Sequence, residues 1–354
     1  MSLSDNHPTI SINQILKILA TPLSWLYGLG VWVRNELYDS HVLRSRTVPI
    51  PTIGVGNLAV GGTGKTPMTE YIVSLLVSHG YRVAILSRGY GRTTKGFRLA
   101  DANDTALTIG DEPAQMHARF PEVPMAVCAD RVQGVRRLQS LFPDLQCVVL
   151  DDAFQHRRLR CGYYVLLTPY DRLYVHDQML PCGRLRDLPS QSLRANTVVV
   201  TKCPPTMHPI DCRVVSNTLH LPSYQHLCFA SIGYPALRLA GTPLLVTGIA
   251  HPEYMLQYVQ QQYPEAQLLT FRDHHSFTDG DIETILARAA AFDTVLTTEK
   301  DYARMQQTPL PERLGDKLQV LPIHIDLGGD KAAFDREILM YVAENSRHIK
   351  YSSN

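Results

Sequence analysis

The stretch PTIGVGNLAVGGTGKT, at residues 51–66, decides the fold of this chain of 354 residues. Its first part, PTIGVGN (51–57), is a short apolar run that is typical of a buried strand. The second part, AVGGTGKT (59–66), is rich in glycine and leads into TEYIVSLLVSHG (69–80), where apolar residues recur at helical spacing. The order of strand, glycine-rich turn and helix predicts a phosphate-binding loop.

The chemistry of such a loop depends on its backbone N–H groups and on two side chains. The inward-pointing N–H groups and the helix N-terminus favour an anion, a lysine reaches the β- and γ-phosphates, and a hydroxyl binds Mg²⁺. The strict pattern begins with glycine, where this chain has Ala59, and a glycine-rich turn without a ligand is the alternative interpretation. The predicted nucleotide-binding residues are Gly61, Gly62, Thr63, Gly64, Lys65 and Thr66, with Lys65 also catalytic and Thr66 also a metal ligand.

Five further apolar runs predict a doubly wound parallel sheet with helices on both faces. Their hydrophobicity is continuous rather than alternating, which is typical of strands buried on both faces. Such a sheet binds ligands at the carboxyl ends of its strands, where Asp151 and Asp152 are candidate Mg²⁺ ligands. An ordinary strand-end turn is the alternative for these two residues, and the spacing does not say which of them meets the metal. The runs are YRVAILSR (81–88), PMAVCAD (124–130), QCVVLDD (146–152), YYVLLT (163–168) and NTVVVTK (196–202).

The composition is that of a globular protein with two domains. Hydrophobic residues make up 45% of the sequence, and 34 basic against 33 acidic residues give a net charge of +1. No global charge therefore draws the molecule to nucleic acid or to anionic lipid, so we expect no nucleic-acid partner, and any such attraction must be local. The seven cysteines are odd in number and form no CxxC motif, which favours reduced cysteines in the cytosol over a zinc site.

An uncharged stretch near the start, at residues 18–33, is the main compositional anomaly. As a helix it would cover about 24 Å at 1.5 Å per residue, which is too short to cross the hydrocarbon core of a bilayer. Trp25 and Trp32 would share one face with Leu29, and a cation flanks each end of the run. This pattern indicates a helix lying in the headgroup region of a membrane, and a helix packed on the core or at a dimer interface is the alternative.

Seven motifs in a fixed order make the chain resemble the bacterial lipid A 4′-kinase family, tetraacyldisaccharide 4′-kinase. The resemblance implies transfer of the γ-phosphate of ATP to the 4′-hydroxyl of a tetraacylated glucosamine disaccharide 1-phosphate, with Mg²⁺. It also implies peripheral contact with the cytoplasmic face of the inner membrane, since TPLSWLYG (21–28) is similar to the family's membrane-facing helix, and no obligate protein partner is inferred. The motifs are NLAVGGTGKTP (57–67), SRGYGR (87–92), GDEP (110–113), DDAFQHR (151–157), LPCGRLRD (180–187), FRDHHSF (271–277) and TTEKD (297–301).

Asp111 has two interpretations. Followed by Glu112 and Pro113, it is a strong start signal for a helix. The resemblance makes it the candidate catalytic carboxylate, working with either His274 or His275, because a sugar hydroxyl needs an acceptor for its proton. Since Asp111 and the histidines lie in different halves of the chain, we expect the domains to close before transfer.

Four further residues are candidate substrate contacts. Arg88 and Arg92 lie in a cationic, glycine-rich loop that suits the 1-phosphate of the substrate, although an exposed loop is the alternative. His156 either lines the cleft or is a polar turn residue. Asp187 stands where the family usually has glutamate, and its side chain is shorter by one methylene.

The sequence predicts four segments. The boundaries are 1–48 for the membrane-facing segment, 49–225 for the phosphate-binding domain, 226–330 for a smaller α/β domain with extended tethers, and 331–354 for a C-terminal helix and tail. At residues 297–301, TTEKD is expected to be a solvated charge cluster rather than a site.

The rival function is that of a membrane-associated P-loop ATPase that switches between partners. Its loop resembles this one, but such proteins place a signature lysine just before the paired glycines, where this chain has Val60. This difference favours the lipid kinase. A membrane-bound scaffold that binds nucleotide without catalysis is a further alternative, and the acids at 111, 151 and 152 with the DHH motif count against it.

Overall fold

The computed structural model describes residues 12–351 apart from 205, 250, 251, 273, 274 and 276, and it describes no side chains at 12–19 or 347–351. Strands and helices alternate along much of the described chain. The strands are β1 (Thr52–Asn57), β2 (Val83–Ser87), β3 (Arg98–Leu99), β4 (Met125–Val127), β5 (Cys147–Leu150), β6 (Tyr163–Pro169), β7 (Thr197–Thr201), β8 (His226–Phe229), β9 (Ser231–Gly233), β10 (Pro243–Thr247), β11 (Gln267–Thr270), β12 (Thr294–Thr298), β13 (Leu318–Leu321) and β14 (His324–Asp326).

The helices lie between these strands and at the two ends. Short 3-10 turns occur at Tyr174–His176, Pro189–Arg194, Gly315–Lys317 and Gly328–Asp330. The α-helices are α1 (Ile12–Asp39), α2 (Lys65–Ser78), α3 (Ala106–Ile109), α4 (Asp111–Arg119), α5 (Arg131–Leu141), α6 (Pro209–Leu219), α7 (Pro252–Gln260), α8 (Asp279–Ala289), α9 (Glu299–Met305), α10 (Leu310–Leu314) and α11 (Lys331–Tyr351).

In the described part of the chain, the larger sheet contains eight strands in the order β3-β4-β2-β5-β1-β6-β7-β8. Its pairings are parallel, apart from the antiparallel pairing of β3 with β4. Strand β1 lies between β5 and β6, so the phosphate-binding loop follows a central strand. The predicted α/β fold with a parallel, P-loop NTPase-like sheet is confirmed.

Consecutive residues of the central strands enter cores on opposite faces of the larger sheet. In β5, Val148 and Leu150 pack in a core with residues of α5 and α6, whereas Cys147 and Val149 pack in a core with residues of α2 and α11. All four side chains are fully buried. Burial on both faces is why the strand runs read as continuously apolar in the sequence.

The second sheet is smaller and is also covered on both faces. It runs β11-β10-β12-β13, with parallel pairing throughout the described strands. Leu244 and Val246 of β10 pack with α8, and Leu245 between them packs with α7. Helix α11 then returns to the larger sheet, where Phe334 joins the same core as α2. The larger sheet includes β8, which lies just beyond residue 225, and the four-segment division of the chain stays a prediction.

Helix α1 buries polar side chains and exposes apolar ones. Ser24 and Asn35 are 7% and 1% exposed, and the Ser24 hydroxyl donates to the carbonyl of Met179 at 2.7 Å. None of the described helices combines the length and the apolar character needed to cross a membrane. The apolar face of the helix therefore points away from the rest of the described protein. Its side chains, from 43% to 73% exposed, are Leu23, Trp25, Leu26, Leu29, Trp32 and Val33.

Candidate active site

The phosphate-binding loop is held in a backbone conformation that glycine favours. Gly61 and Gly64 have φ values of 106° and 87°, which side-chain-bearing residues rarely adopt. Gly64 directly precedes α2, so the amino end of that helix opens on the loop. Two hydrogen bonds fix Thr63: its hydroxyl accepts from the Asn57 side chain at 2.7 Å, and its carbonyl accepts from the Thr201 hydroxyl at 2.8 Å.

Asp152 holds two cations beside this loop. Its carboxylate lies 3.9 Å from Lys65 Nζ and accepts from Arg186, with one contact at 3.1 Å. Arg186 also donates to the side-chain oxygen of Asn57, the last residue of β1, at 2.5 Å. Burial alone would raise the pKa of Asp152, but the Arg186 hydrogen bond and the Lys65 charge bring it below its usual value. Asp152 is therefore an ionised anchor for both cations.

Asp151 has the opposite electrostatic character. Its side chain is fully buried and accepts from the hydroxyls of Thr69 at 3.4 Å and Ser87 at 3.2 Å. Burial, together with the charges of Glu112 and Asp152, raises the pKa of Asp151 to about 7 against the opposing charge of Lys65. A cation that arrives beside this carboxyl would displace its proton.

The segment LPCGRLRD (180–187) lies antiparallel beside the phosphate-binding loop. Ala59 and Leu185 form a bridge, and the Val60 N–H donates to the carbonyl of Arg184 at 2.8 Å. Arg184 and Arg186 consequently lie beside the loop, while Leu185 between them is buried. Sequence reasoning missed these two arginines, although the alternation R-L-R in an extended segment was the signal for them.

Asp111 begins α4 and contacts α9, a helix that follows a strand of the second sheet. Its carboxylate accepts from Arg304 of α9, with contacts at 2.9 and 3.2 Å. Arg304 is 8% exposed and also donates to the buried Asp301 at 3.2 Å. The candidate catalytic carboxylate thus lies at the junction of the two sheets, and Arg304 is a partner that sequence reasoning did not find.

His275 is engaged by its own segment. Its Nε2 lies 2.9 Å from Asp281, and its ring stacks on Phe271 with centroids 5.1 Å apart. Asp281 also accepts from Thr278, the residue that caps α8, and these hydrogen bonds lower the pKa of Asp281 to about 2. His275 therefore stabilises the start of α8. His274, the other candidate, lies outside the described residues.

The four candidate substrate contacts occupy different environments. Arg88 is exposed at the end of β2. Arg92 donates to the backbone carbonyls of Gly96 at 2.6 Å and Val127 at 3.4 Å, so it shapes its own loop. His156 is half-buried, and burial, followed by the charge of a buried arginine, lowers its pKa to about 4, so the ring is neutral at pH 7.

Asp187 lies beneath α1 rather than in an open cleft. It is 1% exposed, and it accepts from the Asn35 side chain at 2.8 Å and from the Leu188 N–H at 3.0 Å. The structure thus gives Asp187 a different place from the predicted substrate contact: a carboxylate this deeply buried has no surface for a ligand. Its contacts fix α1 to the segment that carries Arg186.

Asp301 corrects a second expectation. The solvated charge cluster predicted for TTEKD is wrong at this residue, because Asp301 is fully buried. It accepts from the Thr247 hydroxyl at 2.7 Å and the Gly248 N–H at 3.0 Å, so it joins the ends of β10 and β12. Through Arg304 the same carboxylate supports Asp111.

The fold and the site together define a nucleotide-binding protein of the P-loop class. A glycine-rich loop follows a central strand, a lysine begins the next helix, and paired aspartates end the neighbouring strand. The chain belongs to the tetraacyldisaccharide-1-P 4′-kinase family, whose model matches residues 16–343.

Individual relatives agree with the family assignment. A tetraacyldisaccharide 4′-kinase of Bacteroides thetaiotaomicron is 42% identical, over 94% of each chain. One from Flavobacterium johnsoniae is also 42% identical, over 94% of this chain and 99% of the relative. A crystal structure of LpxK from Aquifex aeolicus in complex with ATP matches the fold with a TM-score of 0.71, at 24% identity, over 92% of this chain and 99% of that one. The chain is therefore a kinase of lipid A biosynthesis, and the partner-switching ATPase is not supported.

Proposed function

We propose that this kinase transfers the γ-phosphate of ATP to the 4′-hydroxyl of a tetraacylated glucosamine disaccharide 1-phosphate, using residues of the phosphate-binding loop and of α4. Gln115 and Arg119 of α4 donate to Glu70 of α2, the helix that Lys65 begins, at 3.0 and 2.8 Å. Asp111 begins α4, and we place it on the acceptor side of the phosphate-binding site. The packing of α4 on α2 is the observation that carries the proposal.

The side chains at the loop fit Mg²⁺. The Thr66 hydroxyl and the carboxylates of Asp151 and Asp152 are hard oxygen donors of the kind that Mg²⁺ prefers. Within the described residues no group of three or more His, Cys, Asp or Glu side chains is placed to hold a metal, so phosphate oxygens and water would complete the ligand set. When bound, the ion neutralises charge on the transferred phosphoryl group. Lys65 and Arg186 add fixed positive charge on the same side.

We assign the activation of the acceptor hydroxyl to Asp111 with His274. The Nε2 of His275 is engaged by Asp281, which leaves His274 as the histidine of the DHH motif for this role. Arg304 orients the Asp111 carboxylate through two hydrogen bonds to one oxygen. A carboxylate held in this way can orient an imidazole that accepts the hydroxyl proton.

Arg88 is the residue we assign to the 1-phosphate of the acceptor. It is exposed at the carboxyl edge of the larger sheet, and a guanidinium binds phosphate through paired hydrogen bonds. Arg92 supports this loop from below through its bonds to backbone carbonyls. His156, neutral at pH 7, is assigned a hydrogen-bonding role in the cleft.

Helix α1 supports peripheral contact with the cytoplasmic face of the inner membrane. Its exposed apolar side chains form the face that would lie in the headgroup region, where a lipid acceptor must be reached. Its buried polar side chains attach it to the segment that also carries Arg186. Membrane contact and phosphoryl transfer thus share one structural support.

The proposal is tested by incubating the protein with γ-labelled ATP, Mg²⁺ and the acylated disaccharide 1-phosphate in detergent. We expect label in the lipid, a loss of orders of magnitude in kcat for Lys65→Ala, and a comparable loss for Asp111→Ala and His274→Ala with ATP affinity retained. Asp316→Ala, at an exposed aspartate of a 3-10 turn, is the matched control.

Two outcomes would contradict these assignments. Hydrolysis of ATP without label in the lipid would indicate an ATPase. A larger loss for His275→Ala than for His274→Ala, with both variants folded, would exchange the roles of the two histidines.

A further inference from the structure

An open cavity of about 470 Å³ lies apart from the phosphate-binding loop and is lined mainly by arginines. Its charged side chains come from three segments: Arg46 from the chain after α1, Arg136 and Arg137 from α5, and Arg158 from the loop after β5, with Asp130 at its edge. The active-site acids and the arginines beside the loop do not line it.

The charge of this arginine cavity is only partly compensated. Arg158 donates to Asp130 at 2.8 Å, and Asp130 also caps α5 by accepting from the Val132 N–H at 3.1 Å. Arg46, Arg136 and Arg137 are exposed, and none of them makes an ion pair with another residue in the part of the chain that the structure describes. Three unpaired guanidinium groups around one cavity repel one another, and a bound anion relieves that repulsion.

The neighbourhood of the cavity indicates where such an anion would come from. The Arg46 N–H donates to the carbonyl of Arg158 at 2.8 Å, and Asp39 at the end of α1 accepts from Arg157 at 3.2 Å. The end of α1 and the cavity are thus held by adjacent residues of one loop. Val42 and Leu43, between them in the chain, are 68% and 39% exposed. Exposed apolar side chains thus occur between the end of α1 and the residues that line the cavity.

We infer that the arginine cavity binds the phosphodiester headgroup of an anionic phospholipid while α1 lies in the membrane surface. A guanidinium binds phosphate oxygens in paired hydrogen bonds, and arginines near an anionic bilayer strengthen binding individually. The net charge of the whole chain is only +1, so this attraction is local. The inference rests on the proposed membrane contact, and it adds a headgroup site distinct from the acceptor site.

The test measures binding of the full chain to vesicles by flotation. Vesicles of phosphatidylcholine alone are compared with vesicles that also contain phosphatidylglycerol. We expect tighter binding to the anionic vesicles, and we expect the double variant Arg136→Ala/Arg137→Ala to bind them about 30-fold more weakly, as two arginines near a charged surface would predict. Arg213→Ala, at an exposed arginine of α6, is the control for charge alone. Thermal unfolding of each variant checks that it is folded.

The outcomes separate this site from the membrane contact on which it rests. The double variant Trp25→Ser/Trp32→Ser should bind neutral vesicles more weakly than the unsubstituted protein does, which tests the membrane contact of α1 independently of the arginines. Equal binding of the folded arginine double variant and the unsubstituted protein to anionic vesicles would overturn the headgroup site. If the arginine double variant has a higher KM for the acceptor in neutral detergent, the cavity binds the acceptor's own phosphate. If inorganic phosphate competes with vesicle binding and the protein shows no preference for anionic vesicles, the cavity binds free anions. Both results would also overturn the inference.

Discussion

Asp151 is a fully buried carboxyl whose pKa of about 7 lies far above the usual value of 3.8. Below pH 7 the folded protein therefore holds a proton where an incoming cation needs negative charge. We expect Mg²⁺ affinity in the presence of nucleotide to rise about tenfold per pH unit up to pH 7 and then to level off, with release of about one proton on binding below pH 7. Calorimetry in buffers of different ionisation enthalpy measures both quantities.

The control for this prediction is Asp151→Asn, an uncharged side chain of similar shape. It should bind Mg²⁺ more weakly and with little dependence on pH between 5 and 7. A variant that keeps the full pH dependence would show that another group carries the proton. Glu70, whose pKa burial raises to about 8, is the first group to examine in that case.

For single residues, the sequence predicted the place in the fold better than it predicted the residues that surround the side chain. Asp151 follows a recognisable strand, so its place at the sheet edge was predictable. Its surroundings were not, because Ser87, which donates to it, and Glu112, whose charge raises its pKa, come from other elements. Neighbouring histidines in DHH are indistinguishable by spacing, and the partner that distinguishes His275 is Asp281 in the next helix. Arg304 lies so far from Asp111 in the chain that only the packing of α9 on α4 brings them together.

Helix α1 is the element whose two faces have opposite functions. Asn35 donates to Asp187, a carboxylate that is 1% exposed, so Asn35→Leu removes a hydrogen bond from a buried charge. We expect this change to lower the free energy of unfolding by about 2 kcal/mol, because a buried charge loses a partner that water cannot replace. Denaturation in urea, with the midpoint and the slope fitted together, measures the loss.

The matched control lies on the opposite face of the same helix. Trp32 is half exposed, so Trp32→Ser should change the free energy of unfolding by no more than about 0.5 kcal/mol. Equal losses for the two variants would mean that the apolar face is buried in solution, as in a dimer interface, and the membrane-facing interpretation of α1 would then fail.

Strands were most predictable from the sequence where both faces of the sheet are buried. The apolar runs at 163–168 and 196–202 correspond closely to β6 and β7, which are buried along nearly their whole length. Strand β8 was not predicted as part of the larger sheet, because it is an edge strand with an exposed first residue and mixed burial. Edge strands lack the continuous hydrophobicity that identifies central ones.

Across the whole molecule, charged side chains join the two sheets close to the active site. Arg119 of α4 donates to Glu70 of α2 at 2.8 Å and to Glu299 of α9 at 3.3 Å, and its guanidinium also reaches the carbonyl of Ile323. Together with the pair of Asp111 and Arg304, this bridge connects the helix of the phosphate-binding loop to the second sheet. The approach of Asp111 to a histidine of the DHH motif on domain closure stays a prediction.

Arg119→Gln tests how much this bridge stabilises the molecule, and its effect should depend on pH. Burial raises the pKa of Glu70 to about 8 even though the charge of Arg119 lowers it. Between the pKa of Glu70 in the unfolded chain, near 4.5, and its pKa in the folded protein, the folded state binds more protons than the unfolded state. The contribution of this carboxyl to the free energy of unfolding is therefore complete below pH 4.5 and is lost as pH rises through the folded-state pKa. Without Arg119 the folded pKa rises further, so the same loss extends to higher pH.

The variant should therefore be moderately less stable than the unsubstituted protein at pH 6, and the difference should grow between pH 7 and 9. Urea denaturation at several pH values measures it. In Glu70→Gln/Arg119→Gln the carboxyl is absent, so the increase with pH should disappear. If the increase persists in the double variant, Glu299 or another acid carries the pH dependence, and the bridge stabilises the molecule through the second sheet rather than through the helix of the phosphate-binding loop.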